Sequence, residues 1–89
     1  MYEQELATRT PVLFAISTCP RCQRVKAFLQ QHGVQARIID VDLLSLADKR
    51  QQFKFVRQVN PEISFPTLVV GDVAVLGEDY QGIKEALNL

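Results

Sequence analysis

Apolar and polar positions along this chain fall into short, separate blocks. Pro11 is followed by Val12-Leu13-Phe14-Ala15-Ile16, an unbroken apolar run of strand length. Without polar alternation, such a run suits a strand covered on both faces, inside a sheet flanked by helices. Ser17-Thr18-Cys19-Pro20 ends the run as a helix start does, with Thr18 or Cys19 at the cap. Pro20 falls in the first turn, where a missing N–H is no loss. Val25, Phe28, Leu29 and His32 recur at i, i+3, i+4 and i+7, the stripe of one helix face. Gly33 predicts a left-handed helix end, and Ala36-Arg37-Ile38-Ile39-Asp40-Val41 predicts a second strand. That is a βαβ unit, whose right-handed crossover makes the two strands parallel.

Ser45 can cap a second helix, with Asp48 in a capping-box-like position. Leu46, Phe53 and Val56 follow helical spacing up to Val59, and Asn60-Pro61 ends the helix. Thr67-Leu68-Val69-Val70 and Val73-Ala74-Val75-Leu76 flank Gly71-Asp72 as the arms of a hairpin. Tyr80, Ile83 and Leu87 give a closing helix after Gly77. The order βαβ–α–ββα predicts an α/β fold: a four-stranded mixed sheet with helices on both faces, as a single domain over 1–89. There is no internal repeat, low-complexity tract or linker.

Length and composition agree with that reading. Eighty-nine residues, 47% of them hydrophobic, suffice for one compact core and not for two. Ten basic and ten acidic residues cancel, which argues against general nucleic-acid binding. Their placement is uneven. Arg21 to Arg57 holds eight Lys/Arg against Asp40, Asp42 and Asp48, whereas Glu62 to Leu89 holds five acids against Lys84 alone. Solvated helix faces explain such a pattern; so does a polarised surface that steers a protein partner. Met1-Tyr2-Glu3-Gln4-Glu5 lacks the basic and apolar regions of a leader, and no apolar run approaches the ~20 residues of a membrane span. A cytoplasmic protein is expected, with no membrane and no nucleic-acid partner. In a reducing compartment a close cysteine pair is catalytic or metal-binding rather than a structural staple.

That pair is Cys19-Pro20-Arg21-Cys22. Cysteines three apart at a helix start face the same side, with Cβ atoms about 5–6 Å apart. A modest adjustment brings them to the ~3.8 Å of a disulfide, so the bridge can open and close without refolding. So short a loop constrains the unfolded chain little, which makes a poor staple and a good switch. The first cysteine sits where free helix N–H groups and the positive dipole end stabilise a thiolate. Arg21 adds an outward-facing charge whose effect is screened by salt. Cys19 is then the exposed nucleophile and Cys22, one turn in, the buried resolving thiol. Zinc is the rival reading, but a closed site needs four ligands, and the soft set here is Cys19, Cys22 and His32. His32 fits better as a helix-end residue meeting the terminal dipole. No metal ligand is assigned within the chain.

Phe65-Pro66-Thr67 enters the third strand, and a proline there is ordinarily an edge or first-residue device. Together with the cysteine helix and Gly77-Glu78-Asp79 before the last helix, it gives a chain that resembles the glutaredoxin family of thioredoxin-fold proteins over nearly its full length. The resemblance implies a thioredoxin-like fold and dithiol reduction of disulfides in proteins or small molecules through Cys19 and Cys22. It implies that Pro66 is a cis-proline packed against the pair, and that the Phe65 backbone pairs with an extended substrate. It implies that Gly77 and Asp79 belong to a glutathione-recognising segment, Asp79 meeting the γ-glutamyl amine. Thr18, Pro20, Arg21, Phe65, Pro66, Gly77, Glu78 and Asp79 form the implied substrate-contact set. Many members carry lysine where Ile16 stands, glycine where Leu76 stands, and a second aspartate where Tyr80 stands. Two electron donors therefore stay open, glutathione and a thioredoxin-reductase-type enzyme. No bound cofactor is expected, and the protein is expected to be a monomer. A binding module that bridges an iron–sulfur cluster or zinc through Cys19 is the alternative.

Overall fold

The computed structural model describes residues 10–89; residues 1–5, read above for the absence of a leader, lie outside them. Strand β1 (Val12–Ala15) leads into helix α1 (Pro20–Gln31) and strand β2 (Arg37–Asp40). A 3-10 turn (Val41–Leu43) joins β2 to helix α2 (Leu46–Val59). Strands β3 (Thr67–Val70) and β4 (Val73–Leu76) form the hairpin, and helix α3 (Tyr80–Leu87) closes the fold. The strands form one sheet in the order β2-β1-β3-β4. β1 runs parallel to β2, with Leu13 opposite Ile38, and antiparallel to β3, with Leu13 opposite Leu68. β3 and β4 pair antiparallel from Thr67↔Leu76 to Val70↔Val73.

The apolar run of β1 is continuous because each face of the sheet has its own core. Leu13 and Ala15 join Cys22, Val25 and Leu29 of α1, Leu68, Val75 and Ile83 of α3 in one cluster. Phe14 turns to the opposite face and packs with Val41 and Val56 of α2, flanked by Val12, Ile16, Phe53 and Val69. Alternate side chains of one strand thus feed two cores, and a polar residue at any of these positions would be stranded between layers. Burial on this scale is worth about 1.5–3 kcal/mol for each large apolar side chain.

Local signals set the helix ends. The α1 end is a Schellman turn: the Gly33 N–H donates to Gln30 O (3.0 Å) and the Val34 N–H to Leu29 O (2.9 Å). Gly33 takes φ 68°, which a side chain with Cβ adopts only at a cost. Ser45 Oγ accepts from the Asp48 N–H at 3.2 Å, one arm of the expected capping box.

Two expectations need correction. His32 is a helix-end residue as expected, the C-cap of α1, but it is exposed and does not extend the buried stripe; its ring lies 4.3 Å from that of Phe28. The stripe ends at Leu29 because the chain leaves the helix one turn later. Leu46 likewise does not face the core and is 64% exposed. It occupies the first position of α2, and Val56 is the fully buried residue of that helix.

Asn60 is more than a helix stop. It is fully buried, and its Nδ2 donates to Ser64 O (3.1 Å), Ser64 Oγ (3.0 Å) and Thr67 Oγ1 (3.1 Å). Its Oδ1 accepts from the Glu62 N–H at 3.3 Å and its carbonyl from the Ile63 N–H at 2.9 Å. The 61–66 loop is therefore folded around one amide, which holds Ile63 at φ 49°, a conformation β-branched residues disfavour. Asn60→Ala removes its own four side-chain bonds, leaving only the Thr67 Oγ1 bond to Ser64 O, and is expected to destabilise the protein by about 1–3 kcal/mol in urea unfolding. Leu46→Gln, at the exposed position, is expected to stay within about 0.5 kcal/mol of the parent. Equal stabilities for Asn60→Ala and the parent would show that the loop holds itself.

Candidate active site

The site begins where β1 hands over to α1. Cys19 is the N-cap residue, with extended backbone (φ −83°, ψ 120°), and Pro20 opens the helix. Both cysteines are free thiols, Cys19 partly exposed and Cys22 fully buried in the core. This difference follows from helix geometry, since the cap residue lies at the rim while the residue one turn on faces inward. The first-turn N–H groups have no partner within the helix, and Cys19 stands at the end where they are free, without a side-chain cap bond.

The two thiols are driven in opposite directions. The Cys22 N–H is the main cause lowering the Cys19 pKa; the Cys22 thiol, the Arg21 N–H and the Arg21 side chain add to it against partial burial. Burial, foremost, pushes the Cys22 thiol up to about 11, and the neighbouring Cys19 adds to this. The Ile16 N–H, 3.4 Å from Cys22 Sγ, opposes the rise, as does the charge of Lys26.

Polar bonds fasten this corner to the sheet. The Cys19 N–H donates to Ile16 O (3.1 Å), and Gln23 Nε2 donates to Ser17 O (2.9 Å). Asp42 accepts from the Ser17 N–H at 2.8 Å and from the Ser17 hydroxyl, which holds its carboxyl below the usual range. Lys26 Nζ pairs with Asp40 Oδ1 at 2.8 Å and ties α1 to the end of β2. Asp42 and the Lys26–Asp40 pair were not legible as site-supporting residues, because only the folded crossover brings the end of β2 and the turn after it beside the start of α1. Thr18 and Pro20 are both exposed at the rim.

The facing wall comes from the β3 approach and the β4–α3 corner. The Phe65–Pro66 peptide is cis and Pro66 is buried. The Pro66 carbonyl accepts from the Gly77 N–H at 2.8 Å, so the proline and the segment before α3 are joined directly. Gly77 adopts φ 77° there. The Phe65 ring meets Phe53 edge-on at 5.8 Å, and its backbone makes no hydrogen bond to the described residues.

Glu78 binds Arg24 through both oxygens, Oε2 to Nε at 2.7 Å and Oε1 to Nη2 at 2.9 Å, and Oε2 also accepts from the Tyr80 hydroxyl. These bonds, Arg24 first, push the Glu78 carboxyl down to about 2. The Tyr80 ring lies 4.9 Å from Phe28. Asp79 turns to its own helix as N-cap, Oδ1 accepting from the Gly82 N–H at 3.0 Å. The structure thus joins Glu78 to Arg24 and Tyr80, and Pro66 to Gly77, while Asp79 serves α3 and Arg21 stands exposed. Part of the uneven charge noted above is spent inside the molecule, with Arg24 on Glu78 and Lys26 on Asp40.

Among the described residues, no three His, Cys, Asp or Glu side chains gather as a metal ligand set, and no helix is long and apolar enough to cross a membrane.

Known proteins give the same outline. The family model for glutaredoxin matches residues 12–75. A methanoredoxin from Methanosarcina acetivorans has a similar structure, with 35% identity and a TM-score of 0.86 over 91% of this chain and 87% of that one. A glutaredoxin from Archaeoglobus fulgidus matches at 30% identity and a TM-score of 0.84, covering 98% and 92%. A glutaredoxin from Methanosarcina mazei Go1 matches at 29% identity and a TM-score of 0.87, covering 92% and 81%. No curated protein matches this chain. With a thioredoxin-like sheet, a cysteine pair at the start of α1, and a family match over more than half its length, the chain belongs to the glutaredoxin family.

Proposed function

We propose that this chain is a thiol–disulfide oxidoreductase that reduces protein or small-molecule disulfides through Cys19 and Cys22. The observation that carries the reading is the placement of the two thiols, Cys19 partly exposed at the N-cap of α1 and Cys22 fully buried one turn in, which drives their acidities apart. The Cys19 thiolate attacks one sulfur of the substrate disulfide. A mixed disulfide forms and the first substrate sulfur leaves as a thiolate. The Cys19 charge has then vanished, and with it that part of the rise in Cys22. Cys22 loses its proton to the leaving sulfur and attacks Cys19 Sγ, which releases the second substrate sulfur. Two electrons have passed to the substrate, and the chain holds a Cys19–Cys22 disulfide that an external reductant reopens.

The exposed rim of Thr18, Pro20 and Arg21 on one side, with Phe65, Pro66 and Gly77 on the other, is the proposed docking surface. The unpaired Phe65 backbone supports β-type pairing with an extended substrate segment. For the electron donor, a thioredoxin-reductase-type enzyme is favoured over glutathione. Both Glu78 oxygens are taken by Arg24 and Tyr80, and Asp79 spends one oxygen as a cap, so little of this segment is left to meet an ammonium group. A monomer acting in the cytoplasm without a bound cofactor completes the reading. The alternative, a module bridging a cluster or zinc through Cys19, is not favoured, because no observation of this site points to it.

Three outcomes are expected. Cys19→Ser abolishes turnover of a disulfide substrate, whereas Cys22→Ser retains attack and accumulates a mixed disulfide visible by mass spectrometry. Full turnover by Cys19→Ser would sink the assignment. In the reduced protein, site-resolved alkylation gives Cys19 a midpoint below the ordinary thiol value of about 8.5. Lowering the pKa means thiolate is already present below that pH, whereas Cys22 alkylates only as pH nears about 11. With one disulfide substrate and two donor systems, thioredoxin reductase supports faster turnover than glutathione with its reductase; the reverse order would assign glutathione as donor.

A further inference from the structure

Strand β4 ends the sheet, so one of its sides has no neighbouring strand. Its register with β3 across a two-residue turn makes Val70↔Val73 and Leu68↔Val75 the hydrogen-bonded pairs. The N–H and C=O groups of Ala74 and Leu76 therefore point outward, and no described residue bonds to them. Edge strands are ordinarily blunted by charge, proline or a bulge. The other edge, β2, carries Arg37 and Asp40, whereas β4 reads Val-Ala-Val-Leu, with Val73 49% and Leu76 46% exposed. The acids of the C-terminal part gather beside this bare edge. Asp72 stands in the turn before β4, and Asp79 and Glu85 line an open groove between β4 and α3, floored by Gly82 and Ala86. Glu78 is neutralised by Arg24, but Asp72, Asp79 and Glu85 are exposed and form no ion pair with a described residue.

We propose that the β4 edge takes an extended, basic segment of a partner protein as a fifth strand, its cations lying over the acids of the β4–α3 groove. The outward backbone groups of Ala74 and Leu76 hold the segment, and the groove selects its side chains. Successive side chains of a strand point to opposite faces, so every second residue of the segment lies on the α3 side, where Val75 is packed. There Gly82 and Ala86 leave room for long stems, and Asp79 and Glu85 meet their charges. The residues between lie on the other face beside Leu76, where an apolar side chain fits. A second copy of this chain fits less well. Symmetric antiparallel pairing of two β4 edges would set the acidic turn at Asp72 of one chain against the Glu78–Asp79 corner of the other, like charge on like. The proposal involves no redox step and stands apart from the reading of the cysteines.

The test titrates a blocked heptapeptide of alternating lysine and valine into isotope-labelled reduced protein and follows the backbone amide resonances. Saturable shifts centred on Val73 to Gly77 are expected, with no comparable shifts from a glutamate–valine peptide of equal length. Ala74→Pro removes one outward N–H at a place where an edge strand tolerates proline, and is expected to weaken binding about fivefold, the scale of one net hydrogen bond. Glu85→Lys, an exposed change that keeps the test open if Ala74→Pro does not fold, is expected to weaken binding about two- to fivefold at low salt and much less in ~1 M salt. Equal binding of the two peptides, shifts that spare the β4 amides, or unchanged affinity in a folded Ala74→Pro would each overturn the proposal. So would broadening of the β4 amides as protein concentration rises without peptide, which would assign the edge to a second copy.

Discussion

Everything about this site depends on holding the first turn of α1 still against a sheet it does not pair with. A helix N-terminus stabilises a thiolate only if its free N–H groups keep pointing at the sulfur. Here the start of the helix is tied to the β1–α1 connection by the Cys19–Ile16 bond, to the end of β2 and the 3-10 turn after it by Lys26–Asp40 and Ser17–Asp42, and to the β4–α3 corner by Arg24–Glu78. Exposed ion pairs of this kind contribute little stability singly. Their worth lies in direction. Three separate elements are fixed to one helical turn, so its N–H groups have a single orientation toward Cys19.

A second fastening works on the opposite wall. Asn60 organises the loop from Ser64 to Thr67, and Pro66 accepts from Gly77, so the cis-proline is held from the α2 side and from the α3 side at once. Neither hold passes through the cysteines. The wall that meets a substrate backbone is thus built independently of the thiols, and Phe65 contacts both cores, tying the wall to each.

The sequence made much of this legible, for physical reasons that also explain the gaps. Elements defined by local chemistry read directly: the apolar run of β1, the Ser45 cap, the left-handed Gly33 and the Gly71-Asp72 hairpin all depend on near neighbours. Cys19-Pro20-Arg21-Cys22 belongs to this class, since a cap cysteine followed by proline defines a helix start by itself. What sequence could not show were partners brought together by the crossover, such as Asp42 for Ser17 or Glu78 for Arg24, which lie 25 and 54 residues apart. Periodicity also overreached at the ends of helices. Leu46 and His32 keep the spacing of a buried face, but one opens its helix and the other caps its helix, and both are exposed. Asn60 misled in the other direction, because a helix-ending asparagine looks solvated until its buried amide is found bonded to Ser64 and Thr67.

These constraints together decide which sulfur moves when the pair closes. Cys22 belongs to the core cluster with Leu13, Val25, Leu29 and Leu68, and interiors packed at crystal-like density do not release one side chain without disturbing the rest. Cys19 stands at the rim, with no side-chain cap bond to give up. Closing the disulfide therefore falls to a rotation of Cys19 toward a fixed Cys22. The helix, the sheet and both cores can stay as they are. A domain of this size has little stability to spare for a larger rearrangement in each cycle. The placement of one thiol in the core and one at the cap serves the chemistry twice: it separates their acidities and confines the redox motion to a single exposed side chain.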